Sequence, residues 1–283
     1  MRRSSIAILA ASSAALTILL AACGTATLPV KPLTQAAATQ VASTGMLGDQ
    51  LVASMIAPNG FSPMSVGLQA LGVAGIQPQA SCTTTSPASP VDGDHDGWYA
   101  NATVTYNCSY SGGGATSTIT GSVTEQDKND ADPYSGTKAT VNDLKIAVSD
   151  SSGTSSITEN LSWDLTRNAP GAYALSYDFR LDLADSSGNA SFEVQGTPTY
   201  TADSGTTNPF DAGTFTLDGK VTFQDSDGTY ELTRQSGGVH YSNTCSGFDS
   251  GTVNYHDNSG NTMTITYTSC NAISLTYNGS TVY

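Results

Sequence analysis

From Trp98 onward, apolar and polar residues alternate with a period of two. In the clearest example, Ala172 to Ala184, an apolar residue occupies every second position and a small or polar residue lies between. This period fits a β-strand with one buried and one solvated face, whereas a helix repeats every 3.6 residues. The alternation recurs at Ile157–Leu165, Phe215–Phe223, Met263–Tyr267 and Ile273–Tyr277. We therefore predict strands, and exclude helices, from Trp98 to the C terminus.

Four Asp-x-x-Gly turns punctuate these strands, beginning at Asp150, Asp185, Asp225 and Asp257. In such a turn the Asp side chain caps the backbone, and the Gly adopts the left-handed conformation that closes a hairpin. Strands joined in sequence by hairpins form an antiparallel meander. We predict one mainly β domain over residues 81–283, with about ten to twelve strands.

The apolar face of each strand must be buried. The sheet can curl into a half-barrel or barrel, fold into two stacked sheets, or present its apolar face to lipid as an outer-membrane barrel. We favour the curled sheet, half-barrel or barrel, because many positions on the apolar side are Thr, Gly or Pro, such as Gly196 and Pro198.

Residues 45–80 have a different pattern, which is typical of helices. Leu47, Leu51 and Met55 repeat every four residues, and Ser62-Pro63 offers an N-cap and a first helical position. We predict two short N-terminal helices that pack on the sheet.

The N-terminal residues have the layout of a secretory signal. Arg2 and Arg3 precede a stretch of apolar and small residues up to Ala22, which is too short for a comfortable membrane span. The stretch ends in Leu20-Ala21-Ala22-Cys23, which resembles the lipobox of bacterial lipoproteins. The resemblance implies a signal peptide over residues 1–22, lipidation of Cys23 with palmitate, and a membrane partner. In lipoproteins retained at the inner membrane, an aspartate follows the lipidated cysteine, whereas Gly24 stands at that position here. The resemblance therefore also implies an outer-membrane location.

Residues 23–44 are rich in Ala, Thr, Gln, Pro and Lys without periodicity, which predicts a flexible tether. Loss of Arg2 and Arg3 with the leader leaves 8 basic and 24 acidic side chains, a net charge of −16. A surface of this charge repels nucleic acid and anionic lipid headgroups. Nucleic acid is therefore excluded as a partner.

Four cysteines remain once Cys23 is assigned to lipid, and an even number in an oxidising compartment indicates disulfides. Three connectivities are possible. We favour Cys82–Cys108 with Cys245–Cys270, because the two loops have similar lengths and end in similar sequences, VTYNC and ITYTSC. The alternative, thiolates bound to a metal, lacks any C-x-x-C spacing.

Asp92, Asp94 and Asp96 form the strongest local constellation. Carboxylates at positions 1, 3 and 5, followed by Gly97 at position 6, resemble the start of an EF-hand calcium loop. The match fails at position 12, where Thr103 stands in place of a bidentate Glu, and no flanking helices are predicted. Two readings stay open: a structural calcium ion bound by these three aspartates, or a solvated acidic loop. We predict no other cofactor.

The remaining chemical groups are scattered in the sequence. His240 and His256 lie on neighbouring predicted strands, where they can begin a transition-metal site if they meet. The carboxylates of Glu125, Asp127, Glu159 and Glu193 suit glycoside hydrolysis only if they come together in space. Neither a G-x-S-x-G elbow nor an H-E-x-x-H motif is present, so we predict no catalytic residues.

These features favour a non-enzymatic lipoprotein of the cell envelope with a structural or binding role at the membrane surface. Its partners would be the membrane and other envelope proteins. One alternative is a carrier of a lipid or other apolar ligand inside the curled sheet, which is an analogy at the level of the fold. Another alternative is an envelope hydrolase that uses the scattered carboxylates.

Overall fold

The computed structural model describes residues 29–42, 52, 82–112, 114–151, 153–186, 188–245, 247–270 and 272–282. The predicted mainly β, antiparallel fold is confirmed. Within the described residues there are fifteen strands, more than the predicted ten to twelve. They are β1 (Thr83–Ser86), β2 (Ala102–Gly112), β3 (Ala115–Asp127), β4 (Thr137–Asp150), β5 (Gly153–Ala169), β6 (Ala172–Asp185), β7 (Gly188–Gly196), β8 (Thr199–Ala202), β9 (Ala212–Thr216), β10 (Asp218–Gln224), β11 (Thr229–Ser242), β12 (Gly247–Asp257), β13 (Thr262–Ser269), β14 (Ala272–Tyr277) and β15 (Ser280–Thr281).

All fifteen strands belong to one antiparallel sheet. From β1 to β7 each strand pairs with the next one in sequence, and the same holds from β10 to β15. β7 also pairs with β10, so the main path is a meander from β1 to β15. The predicted hairpins at Asp150, Asp185, Asp225 and Asp257 join β4 to β5, β6 to β7, β10 to β11 and β12 to β13.

Two interrupted strands give the sheet a closed circuit in its middle. β7 stops at Gly196 and β8 resumes at Thr199, while β9 stops at Thr216 and β10 resumes at Asp218. β7 then pairs with β10 and β8 with β9, which completes a ring through β6, β7, β10, β11, β9 and β8. Pro198 has no N–H to donate to a ladder, which accounts for a break there. These breaks, with the short strands β1 and β15, explain the higher strand number.

The apolar faces of the strands share one core. In β6 the predicted alternation is confirmed, with Tyr173, Leu175, Tyr177, Phe179 and Leu181 buried and Ser176, Asp178 and Arg180 exposed. Buried side chains from β2 to β14 form a single hydrophobic cluster. Because one face of the sheet packs into a single cluster, the sheet is curled around that face.

The outer face of the sheet carries the polar residues. It has a shallow recess of about 390 Å³ at the strand breaks, which is lined by residues that include Asp178, Gln195 and Lys220.

The predicted tether over residues 23–44 is wrong for its second half, because residues 35–42 form a helix, α1. Thr34 caps it: its Oγ1 accepts a hydrogen bond from the Ala37 N–H at 3.2 Å. Leu33, Ala38 and Val41 are at most 2% exposed and belong to the core. The apolar stripe of α1 is built mainly from alanine, which favours helices strongly but gives little hydrophobic periodicity.

The two helices predicted between residues 45 and 80 lie outside the described residues, except for Val52, which is fully buried. α1 is thus the one described helix of more than a single residue, and it is not one of the two that were predicted. Within the described part of the chain, no helix has the length and apolar character needed to cross a membrane.

Both predicted disulfides, Cys82–Cys108 and Cys245–Cys270, are confirmed. Their Cα atoms lie 4.9 Å and 4.8 Å apart, within the usual range for a disulfide. The first bridge joins the residue before β1 to the middle of β2. The second joins the turn between β11 and β12 to the residue after β13.

The register distinguishes two ends of the sheet. Where the described chain begins, the Lys31 N–H donates to the Thr229 carbonyl at 2.8 Å and the Leu33 N–H to Asp257 Oδ2 at 2.7 Å. We call the end of the sheet that holds Thr229 and Asp257 the entry end. The antiparallel pairings from β3 through β4, β5, β6, β8 and β9 make β3 run in the same direction as β11, which starts at Thr229. Asp127, the last residue of β3, therefore lies at the opposite end, which we call the distal end.

Candidate metal centre

The predicted acidic loop lies at the distal end, between β1 and β2, and folds around its own carboxylates. Asp94 Oδ1 accepts a hydrogen bond from the Asp96 N–H at 3.2 Å, and Asp96 Oδ1 accepts one from the Trp98 N–H at 2.7 Å. Gly97 has a φ of 95°, in the left-handed region that favours glycine. Asp92 Oδ2 accepts a hydrogen bond from the Gly97 N–H at 3.3 Å, which closes the loop.

Two further aspartates reach the loop from the end of β3 and the turn that follows it. The Asp127 N–H donates to the Tyr99 carbonyl at 2.9 Å, which fixes β3 beside the loop. Asp130 Oδ1 accepts a hydrogen bond from the Gly93 N–H at 2.7 Å. The sequence did not predict Asp127 or Asp130 as members of this site.

The five carboxylates fall into two sets of three. Asp92, Asp94 and Asp130 each offer an oxygen such that the three atoms lie within 4.8 Å of one another. The same holds for Asp94, Asp96 and Asp127. The predicted group of Asp92, Asp94 and Asp96 is therefore not one of the converging sets: Asp92 and Asp96 belong to different sets, Asp94 belongs to both, and each set is completed by an aspartate from beyond the loop. We call these five residues the aspartate cluster.

Three buried oxygens of the aspartate cluster have no hydrogen-bond partner among the described residues: Asp92 Oδ1, Asp94 Oδ2 and Asp127 Oδ2. Asp127 is only 5% exposed. Its other oxygen, Oδ1, accepts hydrogen bonds from the Asn129 N–H at 3.2 Å and the Ser135 hydroxyl at 3.0 Å. A buried carboxylate oxygen without a partner is costly, and a bound cation would remove that cost.

Electrostatics in the aspartate cluster also favour a cation. Burial, together with the charges of the neighbouring aspartates, raises the pKa of Asp96 to about 6 and raises the pKa of Asp94 above its usual value. Burial and the charge of Asp96 likewise raise the pKa of Glu125 on β3. The basic residues beside the cluster have other partners, since Lys128 pairs with Asp164 and Arg167 with Asp132.

The donor set fits calcium best. Calcium takes six to eight oxygen ligands in flexible geometry, whereas magnesium keeps most of its waters and usually binds one or two carboxylates. Thr103, which stands at position 12 of the EF-hand pattern, has its hydroxyl 3.0 Å from that of Thr124 on β3. Asp127 supplies the additional carboxylate instead.

The aspartate cluster is coupled to the core through Trp98. This side chain follows Asp96 by two residues, is 8% exposed, and packs edge-on against Trp163 of β5 with ring centroids 5.4 Å apart. The Trp163 indole N–H donates to the Thr137 hydroxyl at 3.3 Å. These are the chain's two tryptophans, so their fluorescence reports on the loop.

His240 and His256, which could begin a transition-metal site only if they met, do not meet. On β11, His240 is seven residues from Thr233, the residue that pairs with His256, which corresponds to about 23 Å along the strand. His240 lies between two carboxylates instead, with Nε2 2.9 Å from Asp203 Oδ2 and Nδ1 2.6 Å from Asp249 Oδ1. Burial lowers the pKa of His240, but the hydrogen bonds to the two carboxylates raise it by more than burial lowers it. The net shift of the pKa is therefore upward.

The four carboxylates considered for glycoside hydrolysis do not share one site. Asp127 belongs to the aspartate cluster, and Glu125 lies close enough to it for the charge of Asp96 to raise its pKa. Glu159 lies in the core and is 1% exposed. Glu193 lies on the outer face, where its Oε2 is 3.6 Å from Arg180 Nη1.

The aspartate cluster is therefore the site with the clearest chemistry, and its geometry is the basis for assigning a function. No protein-family model matches the chain, and comparison with curated proteins and with solved structures gives no match.

Proposed function

We propose that this protein is a lipid-anchored, calcium-binding protein of the bacterial outer membrane, with a non-enzymatic structural or binding role at the membrane surface. The observation that carries the proposal is the aspartate cluster, in which three buried carboxylate oxygens have no hydrogen-bond partner in the part of the chain that the structure describes. Calcium would cross-link the loop before β2 to the end of β3. The two disulfides support an exported, oxidising location.

The proposed lipid anchor gives the domain an orientation. Cys23 precedes Pro29, the first described residue, by six positions, and six residues span at most about 20 Å. The described chain begins at the entry end, so this end would face the membrane. The aspartate cluster lies at the distal end, so it would face away from the membrane. Palmitate labelling that depends on Cys23 tests the anchor.

A carrier of an apolar ligand has less support. The apolar side chains of the described strands pack against one another in a single cluster, and α1 adds to that cluster from the entry end. This packing uses the surface on which an apolar ligand would have to bind.

Calcium is expected to raise the melting temperature of the purified, detergent-solubilised protein. A ligand at one hundred times its Kd adds about 2.7 kcal/mol to the free energy of unfolding, which corresponds to roughly 5 to 10 °C for a domain of this size. The comparison is between calcium chloride and a chelator, with magnesium chloride as a second salt. Tryptophan emission should change in the same titration, because Trp98 adjoins Asp96.

Asp94→Ala should abolish both responses, since Asp94 belongs to both sets of carboxylates. Asp227→Ala is the matched control, because Asp227 is exposed in the turn between β10 and β11 at the entry end. An equal calcium response in the Asp94→Ala variant, or no response in the wild type, would contradict the proposal.

A further inference from the structure

We infer that the aspartate cluster holds two calcium ions bridged by Asp94, an inference that rests on the proposed calcium-binding function. The two sets of converging carboxylates share only this residue. Asp92 and Asp130 complete one set, and Asp96 and Asp127 complete the other. A single ion in either set would leave the two aspartates of the other set without a cation.

The buried oxygens divide between the two positions in the same way. Asp92 Oδ1 is an oxygen of a residue in the first set, Asp127 Oδ2 of a residue in the second, and Asp94 Oδ2 of the shared residue. Asp127 is 5% exposed, its Oδ2 has no hydrogen-bond partner among the described residues, and one of its carboxylate oxygens lies within 4.8 Å of oxygens of Asp94 and Asp96. One ion therefore accounts for Asp127, and a second is needed to account for Asp92.

Charge favours two ions over one. Five carboxylates lie together, so one calcium ion would leave a net charge of −3 and two would leave −1. Lys128 and Arg167, the basic residues beside the cluster, are paired with Asp164 and Asp132. Three carboxylates at each position, one of them bridging, leave room for the water and carbonyl ligands that complete six to eight oxygens around calcium.

The number of ions is measured by native mass spectrometry of the full protein released from detergent micelles, titrated with calcium chloride. The wild type should bind two calcium ions. Asp130→Asn should retain one, because Asp130 belongs only to the first set, and Asp96→Asn should also retain one, because Asp96 belongs only to the second. Asp94→Asn should retain none. Asp227→Asn, which changes an exposed carboxylate at the entry end, should still bind two.

The possible counts separate the two proposals. A count of two ions in the wild type and of one ion in both Asp130→Asn and Asp96→Asn supports the bridged pair. One ion in the wild type overturns the bridged pair but leaves the calcium-binding function standing. No ion in the wild type overturns both. The wild-type count decides between these outcomes even if a variant fails to fold.

Discussion

Replacing Glu159 with leucine is expected to stabilise the protein at neutral and alkaline pH by several kcal/mol. Glu159 lies on the apolar face of β5 between Ile157 and Leu161, and its cross-strand neighbours are Leu144 and Leu181. The residue is 1% exposed, and within the residues that the structure describes neither carboxylate oxygen has a hydrogen-bond partner. Leucine fills a similar volume without a polar group to desolvate.

The stabilisation should depend on pH, because burial raises the pKa of Glu159 from 4.5 to about 8. Below pH 4.5 both the folded and the unfolded chain keep the proton. Between pH 4.5 and 8 the unfolded chain releases the proton and the folded chain retains it, so the folded state loses up to about 1.4 kcal/mol of stability per pH unit. Above pH 8 both forms are ionised, and this loss stops growing.

Urea unfolding at pH 5, 6, 7 and 8 measures this effect. The decline in unfolding free energy across these values should be clearly smaller in Glu159→Leu than in the wild type. Glu159→Gln should also show the smaller decline, but without the full gain in stability, since its amide stays buried and polar. Glu231→Leu, at an exposed position on β11, is the matched control. Parallel wild-type and Glu159→Leu curves would show that Glu159 is not a buried acid.

Opening either disulfide is expected to cost about 3.5 kcal/mol of stability, but only one of them should affect calcium binding. The bridges close loops of 26 and 25 residues, for which the loop-entropy relation gives nearly equal values. The Cys82–Cys108 loop contains Asp92, Asp94 and Asp96. The Cys245–Cys270 loop contains no member of the aspartate cluster.

The paired variants Cys82→Ser with Cys108→Ser and Cys245→Ser with Cys270→Ser therefore control for each other. Both should unfold at lower urea concentration. Calcium titration followed by tryptophan emission should show weaker binding only in the first, because the segment between β1 and β2 is then held at fewer points. Equal losses of affinity in both variants would mean that global stability, and not the position of the loop, governs binding.

Most of the β fold follows from the sequence because its signals are local. Each strand buries one face, so the period of two appears directly, as in Tyr173 to Leu181. The Asp-x-x-Gly turns at Asp150, Asp185, Asp225 and Asp257 place four hairpins correctly, since turn geometry depends on a few adjacent residues. The pairing of the cysteines also follows from local similarity in sequence.

The features that the sequence did not predict depend on weak signals or distant contacts. α1 uses alanine where a helix more often uses leucine, so it resembled a tether. Asp127 is 31 residues beyond Asp96, and only the register of β2 with β3 brings their carboxylates together. The Asp-rich sequence from Asp127 to Asp132 was an available signal. Glu159 could also have been found, because it continues the alternation between Ile157 and Leu161.

A crystal structure of the protein grown with millimolar calcium chloride, with anomalous diffraction data, tests the calcium centre most directly. We expect anomalous density between Asp94, Asp96 and Asp127, with metal-to-oxygen distances of about 2.3 to 2.6 Å, and a second peak between Asp92, Asp94 and Asp130. The Asp94→Asn protein crystallised in the same way should show neither peak. Wild-type crystals with an ordered loop and no anomalous density at the aspartate cluster would contradict the proposed function.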